Sequence, residues 1–202
     1  MIDELTPLQQ KRRETIIKNA LEHFSQVGFH QADLDQIASK AGVGKGTIYN
    51  YFENKHDLFY KCIEFEIHHL IDYLRQELSP IQDIEEYFEQ FVRLFVNYFV
   101  QNINSLRVIF FSSYGILEQV FDVIERSRES FYSQFEQRMN QGMMRLKLRP
   151  INPRLFIMGL EGCLIFIMYH QFRHKDQDPE EIIRLARQVF FHGILASPES
   201  SK

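Results

Sequence analysis

The segment Ser39–Lys55 reads SKAGVGKGTIYNYFENK, and its three glycines beside a lysine are typical of loops that bind phosphate groups. A loop of the GxxxxGK type requires a hydroxyl residue directly after the lysine, but Gly46 follows Lys45 here. A dinucleotide loop requires GxGxxG after a strand, whereas the residues before Gly42 have helical spacing. Both nucleotide-binding chemistries therefore fail on spacing and on context.

The residues before the glycines predict a short helix followed by a tight turn. Apolar residues recur there at i, i+3, i+4 and i+7, which places them on one buried face: Leu34, Ile37, Ala38 and Ala41. Gly42 comes next and suits the left-handed backbone that a tight turn requires. An ordinary helical hairpin with polar residues on its surface is the plain alternative to a functional motif.

A second short helix after the turn completes a helix-turn-helix pattern. Val43, Ile48 and Phe52 supply its apolar anchors. A cation, a hydroxyl, a phenol and an amide are left on its outer faces, and these groups can contact the major groove of DNA: Lys45, Thr47, Tyr49 and Asn50. The phosphate that this segment meets is therefore expected to be that of DNA.

The sequence LDQIASKAGVGKGTIYNYFENKHDLF resembles the N-terminal domain of the TetR family of transcriptional regulators. The resemblance implies an all-α, homodimeric regulator with a three-helix DNA-binding domain at residues 1–54 and a larger effector-binding and dimerisation domain at 55–202. It also implies that Lys55 meets a backbone phosphate, and that the tyrosines touch the DNA backbone or brace the recognition helix. The DNA-binding residues expected are Lys45, Gly46, Thr47, Tyr49, Asn50, Tyr51 and Lys55.

The loop before the second helix departs from that family's pattern. Members often carry Thr or Ser in the loop before the second helix, where Gln31, Ala32 and Asp33 stand here. Asp33 has the features of an N-cap rather than of a phosphate contact. Ala32 offers no hydroxyl for a phosphate contact at the start of the second helix, and Gln31 and His30 are only weak substitutes for one.

Cap residues and apolar periodicity predict helices throughout the chain. N-cap side chains are expected at Thr6, Asp33, Asn54, Asn152 and Asp178. The predicted helices cover about 7–27, 34–41, 45–51, 55–78, 83–102, 105–113, 116–146, 153–173 and 179–195. The boundary between the DNA-binding part and the body falls inside the fourth helix, so movement of that helix could link the two.

The body is rich in phenylalanine, and most of these rings are expected to fill the core between helices. Some are expected to line a cavity for a mostly apolar effector, with a few polar groups to orient it. The candidate ligand-binding residues are Arg107, Phe110, Tyr114, Phe166, Tyr169 and His170, and Glu161 is a further polar residue in apolar sequence. Small residues cluster on one side of the helix at 153–173: Gly159, Gly162 and Cys163. The family resemblance implies that this helix and the last one pack against the same pair of a second copy as a four-helix dimer interface.

Composition limits the remaining functions. Residues 1–60 contain 7 Lys and Arg and 8 Asp and Glu, so DNA binding must depend on local charge placement. No signal peptide or apolar run of membrane-spanning length is expected, and two cysteines without a CxxC pair favour a reduced, cytoplasmic setting.

No cofactor and no metal site are expected, although Cys163, His170 and His174 share a helical spacing. No catalytic triad or paired carboxylates can be placed, so the protein is not expected to be an enzyme. The expected function is that of a ligand-responsive repressor on a palindromic operator. The alternative is a helical ligand-binding protein or enzyme with a vestigial helix-turn-helix.

Overall fold

The computed structural model describes residues 5–104, 107–108, 117–145, 148–174 and 178–194. The all-α class is confirmed, since the regular elements in these ranges are helices and Leu148 forms only an isolated bridge. The helices are α1 (Pro7–Gln31), α2 (Leu34–Lys40), α3 (Lys45–Tyr49), α4 (Lys55–Leu78), α5 (Ile84–Gln101), α6 (Leu117–Met144), α7 (Pro153–His174) and α8 (Pro179–Ala186). A π-helical turn, Arg187–Phe191, and α9 (His192–Ile194) follow α8. The expected helix at 105–113 lies largely outside the described residues.

The predicted N-caps are confirmed by their hydrogen bonds. Thr6 forms a capping box with Gln9, in which the Thr6 side chain accepts from the Gln9 amide and the Gln9 side chain accepts from the Thr6 amide. Asn152 accepts from the first amides of α7, and Asp178 accepts from the Glu180 amide at 3.0 Å. These bonds stabilise helix starts that the sequence predicts.

Helix α1 extends beyond its predicted end near Val27. Gly28 has φ 77° and ψ 167°, which is not a helical conformation, and the chain then resumes one further helical turn to Gln31. Glycine adopts a positive φ without steric cost, so the residue predicted to end the helix forms a kink instead. The kink aims Phe29 into the core, where it is 3% exposed.

The chain divides into two compact units. The first comprises the described residues of 1–69 and 102–127, and the second those of 70–101 and 128–194. In the first unit, Phe59 of α4 packs edge-on against Phe24 at 4.9 Å and against Phe29 at 5.1 Å between ring centroids. The packing of these three rings therefore joins the C-terminal end of α1 to the start of α4. Helix α4 contributes residues to both units, and the functional boundary between residues 54 and 55 stays a prediction.

Phenylalanines of α5 and α6 form the core of the second unit, as the composition of the body predicted. Phe91 is fully buried and lies 5.9 Å from Phe131 and 5.8 Å from Phe135 between ring centroids. Phe95 and Phe99 extend the same stripe along α5 and pack against each other at 5.1 Å. Their periodic spacing puts one face of α5 against α6.

Helix α7 contains an 18-residue window, Pro153–His170, that is long and apolar enough to cross a membrane by length and composition, with a mean hydropathy of 1.2. This finding corrects the expectation that no segment reaches that length. Only 28% of the window is buried within the chain. The helix also carries Glu161, which is 6% exposed and ion-paired to α6.

His23 is a buried histidine in the first unit. It is 3% exposed, and its Nε2 accepts a hydrogen bond from the Asp33 amide at 3.4 Å. Burial, and then the neighbouring Lys40 charge, lower the pKa of His23 below its ordinary value of 6.5. The neutral ring therefore links the kinked end of α1 to the N-cap of α2.

We predict that this histidine makes the stability of the protein depend on pH. Below pH 6.5 the unfolded chain binds a proton at His23 more readily than the folded chain, so the free energy of unfolding should fall as the pH falls towards the lowered folded pKa. Urea unfolding between about pH 7.5 and about pH 5.5 measures this loss. His23→Gln retains an acceptor without titrating and should flatten the dependence, whereas parallel curves for the two proteins would contradict the assignment.

Candidate nucleic-acid interface

Helices α2 and α3 are joined by the tight turn that the glycines predict. Asp33 caps α2 by accepting a hydrogen bond from the Asp35 amide at 2.9 Å, as its sequence position indicates. Gly42 has φ 67°, a left-handed conformation that residues with a side chain rarely adopt. The Val43 amide then donates to the Ala38 carbonyl at 3.0 Å, which closes the turn. The turn thereby sets the direction in which α3 leaves α2.

Helix α3 has five residues, Lys45–Tyr49, and ends earlier than the predicted Tyr51. Asn50 is its C-cap, and Tyr51 lies in the turn that follows. Ile48 and Phe52 anchor it, since they are 1% and 2% exposed. A helix of one turn has little stability of its own, so these two buried side chains hold it in place.

The residues predicted to bind DNA on α3 and in the turn after it are accessible to solvent. Lys45, Gly46, Tyr49 and Asn50 are exposed, and Thr47 and Tyr51 are partly exposed. Tyr49 is 51% exposed although it is a large aromatic residue. Contact between these residues and DNA stays a prediction; the structure shows that they are accessible.

Lys45 has a partner within the chain. Its Nζ lies 2.8 Å from an Asp35 carboxylate oxygen, and this hydrogen bond raises the pKa of Lys45. Both side chains are about half exposed, and an exposed ion pair of this kind contributes little to stability. Asp35 therefore orients Lys45 and offsets part of its charge, without preventing it from reaching another anion.

Lys55, the predicted phosphate contact at the start of α4, also has partners within the chain. Its Nζ donates to the carbonyl oxygens of His30 at 3.2 Å and Ala32 at 3.0 Å. The same ammonium lies 4.9 Å from the centroid of the Phe29 ring. Lys55 thus ties the end of α1 to the start of α4, a role that the sequence pattern did not reveal, and its phosphate contact stays a prediction.

The predicted ligand-binding residues are distributed more widely. Arg107 is exposed and belongs to the first unit, whereas Phe166, Tyr169 and His170 lie on α7 in the second. Phe166 is 70% exposed. Phe110 and Tyr114 lie outside the described residues. In the described ranges, no group of three His, Cys, Asp or Glu residues could hold a metal ion. The side chain of His174 lies outside the described part of the structure.

Glu161, a polar residue in the apolar sequence of α7, forms a buried ion pair in the second unit. The Arg128 guanidinium nitrogen Nη1 lies 2.9 Å from a Glu161 carboxylate oxygen, and the Tyr132 hydroxyl donates to the same oxygen at 2.5 Å. Burial raises the pKa of Glu161, and the Arg128 charge opposes that rise. Arg128 and Tyr132, spaced i, i+4 on α6, were missed because their partner lies on another helix.

A polar cleft of about 70 Å³ opens at the start of α5. Its lining includes Asp83, Arg138 and Arg145. The cleft is smaller than the roughly 300 Å³ of typical small-molecule sites. It is therefore not the expected effector cavity.

Residues 16–62 match the model of a family described as bacterial regulatory proteins, tetR family. An uncharacterised helix-turn-helix transcriptional regulator, YhgD of Bacillus subtilis, is 25% identical over 92% of this chain and 98% of its own length. Among solved structures, the fatty acid degradation regulator FadR from Bacillus halodurans has a TM-score of 0.80 at 20% identity, covering 93% of this chain and 96% of that one. FadR from Bacillus subtilis, in complex with stearoyl-CoA, has a TM-score of 0.76 at 18% identity, covering 88% and 95%.

Proposed function

The chain belongs to the TetR family of transcriptional regulators, and from that premise we propose that it is a cytoplasmic, ligand-responsive repressor that binds a palindromic DNA operator. The observation that carries this proposal is the surface of α3, where Lys45, Tyr49 and Asn50 are exposed on a helix anchored by Ile48. Polar side chains on such a helix can reach base edges in the major groove.

The residues of this surface divide between two kinds of contact. Thr47, Tyr49 and Asn50 offer a hydroxyl, a phenol and an amide and are proposed to meet base edges or the flanking backbone. Lys45 and Lys55 are proposed to meet phosphates, and Tyr51 to brace the end of the helix. Gly46 has no side chain and is proposed to let the DNA approach the protein backbone of α3 closely.

The DNA-binding proposal predicts that the purified chain enriches a short palindrome from a pool of random duplexes. Tyr49→Ala should lower affinity for the enriched duplex by about 5- to 150-fold for each recognition helix, the range expected when a contact worth about 1–3 kcal/mol is lost. Fluorescence anisotropy measures this change. Phe121→Ala, at a similarly exposed aromatic residue on α6, is the matched control. Failure to enrich any sequence, or equal affinity of the two variants, would contradict the proposal.

We also propose that the chain acts as a homodimer through α7 and α8. Leu155 and Phe166 of α7 are 67% and 70% exposed and share one helical face with Gly159 and Gly162. Val189, which follows α8, is 58% exposed. A continuous apolar stripe with small residues suits close packing against a second copy, and a two-fold dimer presents two recognition helices about 34 Å apart.

The dimer proposal predicts that Phe166→Glu shifts the protein towards a monomer, because the carboxylate would be buried without a partner in the interface. Sedimentation equilibrium measures the change. Phe121→Glu introduces the same charge at another exposed phenylalanine and should leave the assembly unchanged. A wild-type monomer, or a Phe166→Glu dimer as stable as the wild type, would exclude this interface.

The effector is proposed to be a mostly apolar small molecule held in the helical body. The aromatic core of the second unit and the stearoyl-CoA bound by FadR of Bacillus subtilis support this class. Because Phe166 fits the dimer stripe, the remaining candidates are Arg107, Phe110, Tyr114, Tyr169 and His170. An effector releases DNA only if it binds the DNA-free conformation more tightly, and movement of α4 is the proposed link.

A long-chain acyl thioester is the first ligand to test. Stearoyl-CoA should release the chain from its enriched duplex in a saturable way, whereas free CoA should not, because the acyl chain supplies the apolar contact. Anisotropy of the labelled duplex follows the release. Equal effects of the two compounds would exclude an acyl thioester as the effector.

A further inference from the structure

The polar cleft at the start of α5 brings two arginines together in the second unit. One wall is a single face of α6 and the residue after it, because its lining residues are spaced i, i+3, i+4 and i+7: Arg138, Gln141, Gly142 and Arg145. The other wall consists of Gln82, Asp83 and Ile84, where α5 begins. Two guanidinium groups and two carboxamides therefore line one small space.

Gly142 lets the two walls approach each other closely. A Cβ atom at this buried glycine would lie 2.8 Å from Leu148 Cδ1 and 3.3 Å from Ile84 Cγ1, too close for a side chain to fit without displacing Leu148. Leu148 is itself 3% exposed. Close packing at this glycine thus fixes the end of α6 against the start of α5, and the lining side chains are attached to that packed frame.

Both arginines keep their positive charge available to a ligand. Arg138 donates to the carbonyl oxygens of Ile81 and Ser79, which hold the guanidinium in place but carry no charge to cancel it. Arg145 is exposed, and within the described part of the chain no hydrogen bond or ion pair engages its side chain. The cleft therefore combines one fixed cation with one that can adjust to a ligand.

Asp83 is the acid among the described residues that line the cleft. Its Oδ1 accepts hydrogen bonds from the Glu85 and Glu86 amides at 2.9 and 3.2 Å, so it serves as the N-cap of α5. The side chains of Glu85 and Glu86 are exposed and do not belong to the lining. Two cations thus face one carboxylate that is already hydrogen-bonded, which leaves the lining with a net positive charge.

The cleft also adjoins the aromatic core of the second unit. The Arg138 guanidinium carbon lies 4.5 Å from the centroid of the Tyr87 ring. Tyr87 lies 6.2 Å from Phe135, which in turn lies 5.8 Å from Phe91 between ring centroids. An anion held in the cleft is therefore placed at the edge of the apolar core.

We propose that this cleft binds a phosphate group. At about 10–15 Å³ for each water molecule, its volume of about 70 Å³ has room for about five to seven waters, which is close to the size of one phosphate. A guanidinium group matches phosphate oxygens with paired, charge-assisted hydrogen bonds. The carboxamides of Gln82 and Gln141 can donate to the remaining oxygens.

Two sources can supply that group, namely inorganic phosphate and the phosphorylated head of a CoA thioester. The second source rests on the effector class proposed above. The acyl chain of such a ligand requires an apolar environment and its head a cationic one, and the second unit offers both next to each other.

Isothermal titration calorimetry of the full chain in phosphate-free buffer tests the site, with inorganic phosphate and CoA as separate probes. Arg145→Gln should weaken binding of the recognised probe about tenfold, because a charge-assisted hydrogen bond is lost. Gln141→Glu keeps the size of the side chain but adds a negative charge to the lining, and it should weaken binding at least as much. Arg149→Gln is the matched control, at an exposed arginine of the same unit outside the lining. All three variants should keep the wild-type melting temperature.

The two probes separate the two sources. Tighter binding of CoA than of inorganic phosphate, with loss in Arg145→Gln alone of the two arginine variants, would assign the site to a CoA head, whereas equal affinities would assign it to free phosphate. Binding of neither probe by the wild type, or equal affinities of Arg145→Gln and Arg149→Gln, would overturn the site. If phosphate binding depends on Arg145 but stearoyl-CoA does not release the chain from DNA, the proposed effector class fails and the phosphate site stands.

Discussion

A recognition helix of only five residues cannot hold its own conformation, and this constraint organises the DNA-binding part of the molecule. Its position depends on two buried side chains, Ile48 and Phe52, and on the left-handed backbone of Gly42. Phe52 in turn lies against α1, where the guanidinium carbon of Arg13 is 5.5 Å from the centroid of its ring. The glycines that resemble a nucleotide loop therefore serve to aim a short helix, and the functional surface is a product of tertiary packing.

Much of the fold follows from local sequence signals. The caps at Thr6 and Asp178 and the apolar stripe of α5 depend on neighbours along the chain, so they could be predicted from spacing alone. The kink at Gly28 was predicted as a helix end, because the glycine is visible in sequence but the resumption of the helix after it is not. The end of α3 was misplaced for a similar reason, since Asn50 and Tyr51 have helical spacing but lie in a cap and a turn.

What could not be predicted are the partners that distant segments bring together. Lys55 contacts carbonyl groups more than twenty residues away, and Glu161 meets Arg128 across two helices. Neither pairing leaves a periodic trace in the sequence. The apolar face of α7 could be recognised by composition, but only exposure in the folded chain separates a core-facing residue such as Leu160 from an outward one such as Leu155.

The central claim is that two copies of α3 read successive major grooves of one DNA site. Methylation interference on the duplex enriched by the wild-type chain tests it most directly, because methylation of guanine N7 obstructs the major groove. The account predicts two clusters of interfering guanines on one face of the duplex, about one helical turn apart. Binding that tolerates methylation throughout the duplex, or interference confined to a single cluster, would contradict it.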